Sequence, residues 1–219
     1  MFVDFHTHKA QVEPNVFSIY SHSIGDSYSC DEQFLSVGLH PWDIPKVDVE
    51  SALAEVELVM GNERVIMVGE CGLDHYHGVS MAVQQQVFER HVLLSEQYAK
   101  PLVIHCVRAF DELLASKKRH RPQQAWVVHG FVNNIGIARR LVNEGILLSF
   151  GQNLFNPNGN SSKVIRQMTD IPFFLETDDS SISIVEVYNK AADVLQIEVL
   201  KLQNMMIHNM EKILNRTLI

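Results

Sequence analysis

Six short stretches of the chain end on a side chain able to hold a metal ion or move a proton. They are Phe5-His6-Thr7-His8, Gly38-Leu39-His40-Pro41, Val68-Gly69-Glu70-Cys71, Val103-Ile104-His105, Val127-Val128-His129 and Leu175-Glu176-Thr177-Asp178. A carboxylate that follows an apolar run is costly unless a cation or a donor neutralises it. His6 and His8 stand two apart, so on a strand both imidazoles project to one side and can grip one ion. Taken singly, each histidine reads as a satisfied structural residue, and Glu70 or Asp178 as an ion-pair partner or helix cap. Their recurrence at the ends of separate apolar runs favours a shared site. Glu70 has two oxygens with which to bridge two cations. Asp178 can ligate one ion and take the proton of an attacking water. Two divalent ions roughly 3.5 to 4 Å apart activate water and stabilise the leaving oxygen of an in-line phosphoryl displacement. Mixed imidazole and carboxylate donors suit Zn, Mn or Fe better than Mg alone.

Such residues need a scaffold that brings the ends of many strands together. Brief apolar runs recur at Phe2–His6, Val16–Tyr20, Leu35–Leu39, Val65–Gly69, Leu102–His105, Trp126–His129, Ile146–Phe150 and Phe173–Glu176. Runs of this kind read as parallel strands covered by helices on their faces. Amphipathic stretches lie between them, clearest over Val83–Lys100, which Pro101 stops, and over Asn134–Glu144, which Gly145 ends. Val185–Leu195 and Glu198–Leu214 complete the C-terminal end, and Asn156–Ser162 reads as a loop. Eight strands alternating with helices predict an α/β fold, a (β/α)8 TIM barrel, with active-site residues at the C-terminal strand ends. The competing reading is an open doubly wound sheet with fewer strands.

Composition sets the outer limits. The 219 residues are 46% hydrophobic and 20% charged, which excludes a disordered chain and suits a single domain spanning 1–219. Acidic residues outnumber basic ones 26 to 18, a net charge of −8, so bulk electrostatics do not hold this chain on DNA. Local patches or bound cations would have to supply the attraction. Lys117-Lys118-Arg119-His120-Arg121 and Arg139-Arg140 read as solvated helix faces. Cys30, Cys71 and Cys106 are odd in number and far apart, so reduced thiols in a cytoplasmic protein are expected. Cys71 and Cys106 adjoin proposed ligands but, as strand neighbours, should face away from them. No secretory signal or membrane-length apolar run is found, and a monomer is the expectation. His22, His75, His77, His91, His120 and His208 read as structural or surface residues, with His75 and His77 placed to line the mouth.

The ordered series Asp4-Phe5-His6-Thr7-His8, Gly38-Leu39-His40-Pro41, Gly69-Glu70-Cys71-Gly72-Leu73-Asp74, Pro101-Leu102-Val103-Ile104-His105, Val128-His129-Gly130-Phe131 and Leu175-Glu176-Thr177-Asp178 resembles the TatD family of metal-dependent hydrolases. Gln84 and Asn209 also resemble family positions, and the likeness runs through essentially the whole chain. The resemblance implies a barrel of the amidohydrolase type with two divalent ions (Zn, Mn, Mg or Fe). It implies that His6, His8, Glu70 and Asp178 ligate one ion and that Glu70, His105 and His129 hold the other. It further implies deoxyribonuclease activity, with Asp178 as the catalytic base and His40, Asp74 and Arg108 in substrate-contact or supporting roles.

The metal positions match the family throughout, whereas the positions expected to grip a phosphate backbone do not. Cys106-Val107-Arg108 puts its arginine one residue late, Phe131-Val132-Asn133 replaces a Phe-Ser-Gly pattern, and Asp179-Ser180-Ser181-Ile182 lacks a basic loop. Two alternatives to a DNA substrate therefore stand beside it. One is metal-dependent hydrolysis of a small phosphoester, ester or amide, and the other is a catalytically silent binding protein.

Overall fold

A computed structural model describes residues 1–10, 13–24, 34–168 and 170–218; Cys30 lies outside them. The strands are β1 (Phe2–Thr7), β2 (Val16–Ser23), β3 (Phe34–Gly38), β4 (Val65–Asp74), β5 (Leu102–Val107), β6 (Trp126–Val128), β7 (Ile146–Phe150) and β8 (Phe173–Leu175). The helices are α1 (Val49–Val59), α2 (Met81–Gln97), α3 (Phe110–His120), α4 (Ile135–Asn143), α5 (Ser161–Arg166), α6 (Ile184–Leu195) and α7 (Val199–Leu214). The strands follow chain order in an eight-stranded sheet whose described pairings are parallel. That is the (β/α)8 class expected, and not the shorter doubly wound sheet. The chain divides into two compact units, Ser21–Val128 and Met1–Tyr20 with His129–Ile219.

In Ser21–Val128 the longest strand is β4, buried along its whole length. The apolar run suggests a stop at Gly69, yet the strand continues through Glu70 to Asp74. Two glycines explain the extension. A Cβ on Gly38 would lie 2.8 Å from the Glu70 carbonyl oxygen. A Cβ on Gly72, whose φ is +153°, would lie 1.9 Å from that of His105. Glycine thus lets β3 and β5 close on β4 where its carboxylates emerge. Leu39, Ile44, Ala52, Leu53 and Val87 form an apolar cluster that buries one stripe of α1 and α2. His91 on α2 is fully buried and neutral. It accepts the Leu39 N–H at Nε2 (2.9 Å), while Nδ1 lies 2.8 Å from the Val87 carbonyl. Burial pushes its pKa down to about 4.

In the other unit, β1 joins β8 through backbone bonds. Asp178 N–H donates to the His6 carbonyl (2.9 Å) and His8 N–H to that of Asp178 (3.1 Å). Helix α6 starts on a capping box, with the Ser183 side chain and Glu186 bonding each other's backbone. Its Tyr188 hydroxyl accepts the Val3 N–H and donates to the Val3 carbonyl, fastening the helix to β1. Phe5 stacks on Phe174 at 4.5 Å, and Asn209 on α7 donates to the Phe173 carbonyl (2.9 Å). The stretch read as a loop turns helical at Ser161. Both serines there bury their hydroxyls on backbone carbonyls, Ser161 on Phe131 (3.1 Å) and Ser162 on Leu154 (3.0 Å). Polar residues of a loop thereby become a packed helix start.

Candidate metal centre

In Met1–Tyr20 with His129–Ile219, the end of β1 and the third residue beyond β8 bring His6, His8 and Asp178 together. Their donor atoms lie within 4.8 Å of one another. Asp178 Oδ1 stands 3.7 Å from His6 Nε2 and 3.5 Å from His8 Nε2. Asp178 takes a left-handed φ of 53°, a conformation that aspartate tolerates better than most residues. This turn lets the backbone pair with β1 while the carboxylate swings toward the imidazoles. Beneath it, buried Asp4 accepts the Thr177 N–H (2.9 Å), and its other oxygen lies 2.7 Å from the Thr177 hydroxyl. Burial pushes Asp4 up to about 7, against those hydrogen bonds.

His129 belongs to the same unit and groups with Glu176 and Asp178, again within 4.8 Å. Its ring centroid is 4.3 Å from that of His6. Glu176 is fully buried, accepts the Gly130 N–H at 2.5 Å, and is pushed up to about 7 by burial. Sequence reasoning passed over Glu176 in favour of Asp178. The signal was present, since Glu176 also ends the β8 run, but only the fold shows it pointing at His129, 3.8 Å away.

In Ser21–Val128 the segment after β3 and strands β4 and β5 gather His40, Glu70 and His105. Glu70 Oε1 lies 3.1 Å from His40 Nε2 and 3.1 Å from His105 Nδ1. The other ring nitrogen of His105, Nε2, is 3.0 Å from Asp74 Oδ2. A proton on Nε2 satisfies Asp74 and leaves the Nδ1 lone pair facing Glu70, as a ligand nitrogen requires. His40 carries its proton on the same nitrogen but turns the opposite edge to Glu70. Trp42 N–H donates to His40 Nδ1 (3.2 Å), so the proton sits on Nε2 and points at Glu70. His40 therefore supports the Glu70 carboxylate, whereas His105 offers a lone pair.

Asp74 organises this half. Oδ2 accepts from the Trp42 indole (2.8 Å), and Oδ1 accepts from the Tyr76 (2.7 Å) and His77 (3.2 Å) N–H groups. Burial raises the Asp74 pKa, but hydrogen bonds from His105, Trp42 and Tyr76 outweigh it and hold the carboxyl below its usual range. Gln84 fixes the turn that follows, accepting Asp74 N–H (2.7 Å) and donating to the carbonyls of Asp74, His77 and Val79. Arg108, expected near substrate, is exposed with its guanidinium 4.6 Å from the Tyr76 ring centroid. His75 pairs with Glu112 at 3.1 Å. Burial, with the charge of Glu70, pushes the Cys71 thiol well above its ordinary value, and burial raises Cys106 as well. Neither thiol is a nucleophile at neutral pH.

The donor sets fit divalent metal. Each contains imidazole nitrogen and carboxylate oxygen, drawn from different strands and close enough to share one ion. Parallel strands ending in such groups define a metal-hydrolase class of α/β barrel. A family profile described as TatD related DNase matches residues 27–215, so the chain belongs to that family. The crystal structure of YjjV, a TatD homologue from Escherichia coli K12, aligns over 98% of both chains with a TM-score of 0.82 at 20% identity, a likeness of fold. By sequence, the uncharacterized metal-dependent hydrolase YjjV of E. coli is 30% identical over 148 residues, 66% of this chain and 57% of the relative. A 3'-5' ssDNA/RNA exonuclease TatD from Edwardsiella piscicida is 36% identical over 81 residues, 36% of this chain and 31% of the relative. The chain spans about half the length of the curated relatives it matches first. Among the described residues, no helix is long and apolar enough to cross a membrane.

Proposed function

We propose that the chain is one metal-dependent hydrolase domain, residues 1–219, that cleaves phosphodiester bonds of DNA with two divalent ions. The observation that carries this reading is that imidazole and carboxylate side chains gather in groups of three, each with its donor atoms within 4.8 Å of one another. His6, His8 and Asp178 would hold one ion and Glu70 and His105 would serve the other, with His129 as the remaining imidazole donor. When bound, the ions supply water activation at neutral pH and charge stabilisation on the phosphoryl oxygens.

The chain's own groups do the rest. Asp178 accepts the proton of the attacking water at a carboxylate oxygen held 3.5 Å from His8 Nε2. Asp74 holds the His105 ring so that Nδ1 remains basic. His40 donates through Nε2 to Glu70 and fixes the direction of that carboxylate. The exonuclease name of one relative supports a nucleic-acid substrate. A second reading, a small phosphoester, ester or amide, is favoured by Asp179–Ser181, which leads without a basic residue to the Ser183 cap of α6.

Metal analysis and a nuclease assay on one sample test the proposal. Metal-loaded protein should degrade single-stranded DNA, and chelation should abolish the activity. Hydrolysis of generic phosphoesters without loss of DNA under Mn, Mg or Zn would establish the second reading. A protein that neither retains nor responds to metal would be a binding protein on an old scaffold.

A further inference from the structure

Around Asp74, the buried partner of His105, two residues carry large aromatic side chains that stand open to solvent. Trp42 is 44% exposed and Tyr76 is 58% exposed. Exposed aromatics scattered singly need no explanation, but these two are built in. One buried carboxylate fixes both: Asp74 accepts the Trp42 indole N–H with Oδ2 and the Tyr76 backbone N–H with Oδ1. The same Oδ2 lies 3.0 Å from His105 Nε2. The Trp42 ring centroid is 5.5 Å from that of His105. Arg108 lies 4.6 Å over the Tyr76 ring, placing a planar cation on the aromatic surface.

We propose that Trp42, Tyr76 and Arg108 form a stacking platform for an unpaired nucleobase of the nucleic-acid strand being cleaved. This assignment rests on the phosphodiesterase reading and names how that site selects its substrate. Stacking on an aromatic face contributes affinity without a sequence requirement and without counterion release. Both properties suit a chain of net charge −8, which has little bulk attraction for a phosphate backbone. A base buried in a duplex presents no free face, so the platform favours single strands and frayed ends. Because Asp74 holds the indole and the His105 ring on one oxygen, a stacked base sets the adjacent phosphate beside the Glu70–His105 pair.

The test compares metal-loaded protein on a thymidine hexamer with the same hexamer carrying an abasic residue at its 3′ or 5′ end. Stacking magnitudes of about 1–3 kcal/mol per base correspond to roughly a 5- to 150-fold preference for the base-bearing end. In Tyr76→Ala and Trp42→Ala that ratio should fall toward unity, while Tyr76→Phe, which keeps the ring, should retain it. A purely structural role would slow both substrates alike and leave the ratio unmoved. Because Tyr76 is exposed, its variants stay informative even if Trp42→Ala misfolds. Equal cleavage of both hexamers by the wild type overturns the platform and leaves the nuclease reading standing. A base preference that survives in Tyr76→Ala overturns it as well. No cleavage of any DNA overturns both readings together.

Discussion

His105 in Ser21–Val128 and His6 in the other unit are proposed for the same task, yet the chain holds them by different means. His105 is oriented by a side chain: Asp74 fixes one ring nitrogen and frees the other. The surroundings of Asp74 are also side-chain work, with Trp42 and Gln84 bonded to it or to its backbone. The backbone at His6 is held by main chain, since His6 and His8 exchange backbone hydrogen bonds with Asp178, three residues past β8. A side-chain hub can be removed by one substitution without disturbing the sheet. For a backbone-held donor the direct targets are the donor itself and its carboxylate partner. The two halves should therefore fail differently.

The largest effect should come from the backbone-held half. Asp178→Asn removes the proposed base while keeping shape, so turnover should fall about 10²- to 10⁴-fold with the far-ultraviolet spectrum unchanged. Undiminished hydrolysis would remove Asp178 from the mechanism. The next effect separates the halves by pH. His91 sits only in the side-chain-held unit, and burial holds it neutral with a pKa of about 4, against an ordinary histidine value of 6.5. The unfolded chain protonates it first as pH falls, so this contribution is complete above about pH 6.5. It is lost progressively down to about pH 4 and amounts to roughly 3 kcal/mol. Urea unfolding of wild type and His91→Gln between pH 4 and 8 should show an acid-side slope in the former that flattens in the latter.

Asp74→Asn should weaken metal retention at the Glu70–His105 position by about 10- to 100-fold, read by competition with a chelating dye. The amide has one accepting oxygen, so it cannot serve the His105 and Trp42 donors and the Tyr76 and His77 N–H groups together. Binding by the His6–His8–Asp178 group should persist, and equal loss of both ions would break the distinction between the halves. The smallest effect is Ser183→Ala, which removes the cap of α6 and should cost about 1 kcal/mol of stability with the metal content unchanged.

Much of this site was legible before folding, because the donors stand at fixed places relative to apolar runs. That placement points to His6, His8, His40, Glu70, His105, His129 and Asp178 as candidates, and the structure gathers them in groups of three. Glu176 was not among them, because two carboxylates ended the same run and alternation gives no preference for the one that is fully buried. The extension of β4 past Gly69 escaped for a related reason. A Glu and two glycines interrupt the apolar pattern, and only the close approach of β3 and β5 makes them strand residues. Helices α1 and α3 also lacked a clear signal, and packing against the sheet defines them.

By itself the sequence determined the order of strands and helices and pointed to the candidate donor side chains. These follow from local periodicity and residue chemistry, which need no third dimension. The tertiary structure decided which nitrogen of His40 carries a proton, that the Asp74 carboxylate serves four partners at once, and that Asp178 turns left-handed to meet two imidazoles. Each of those depends on atoms far apart in the chain meeting at hydrogen-bond distance. Spacing along a strand encodes direction, but only the paired strands encode meeting.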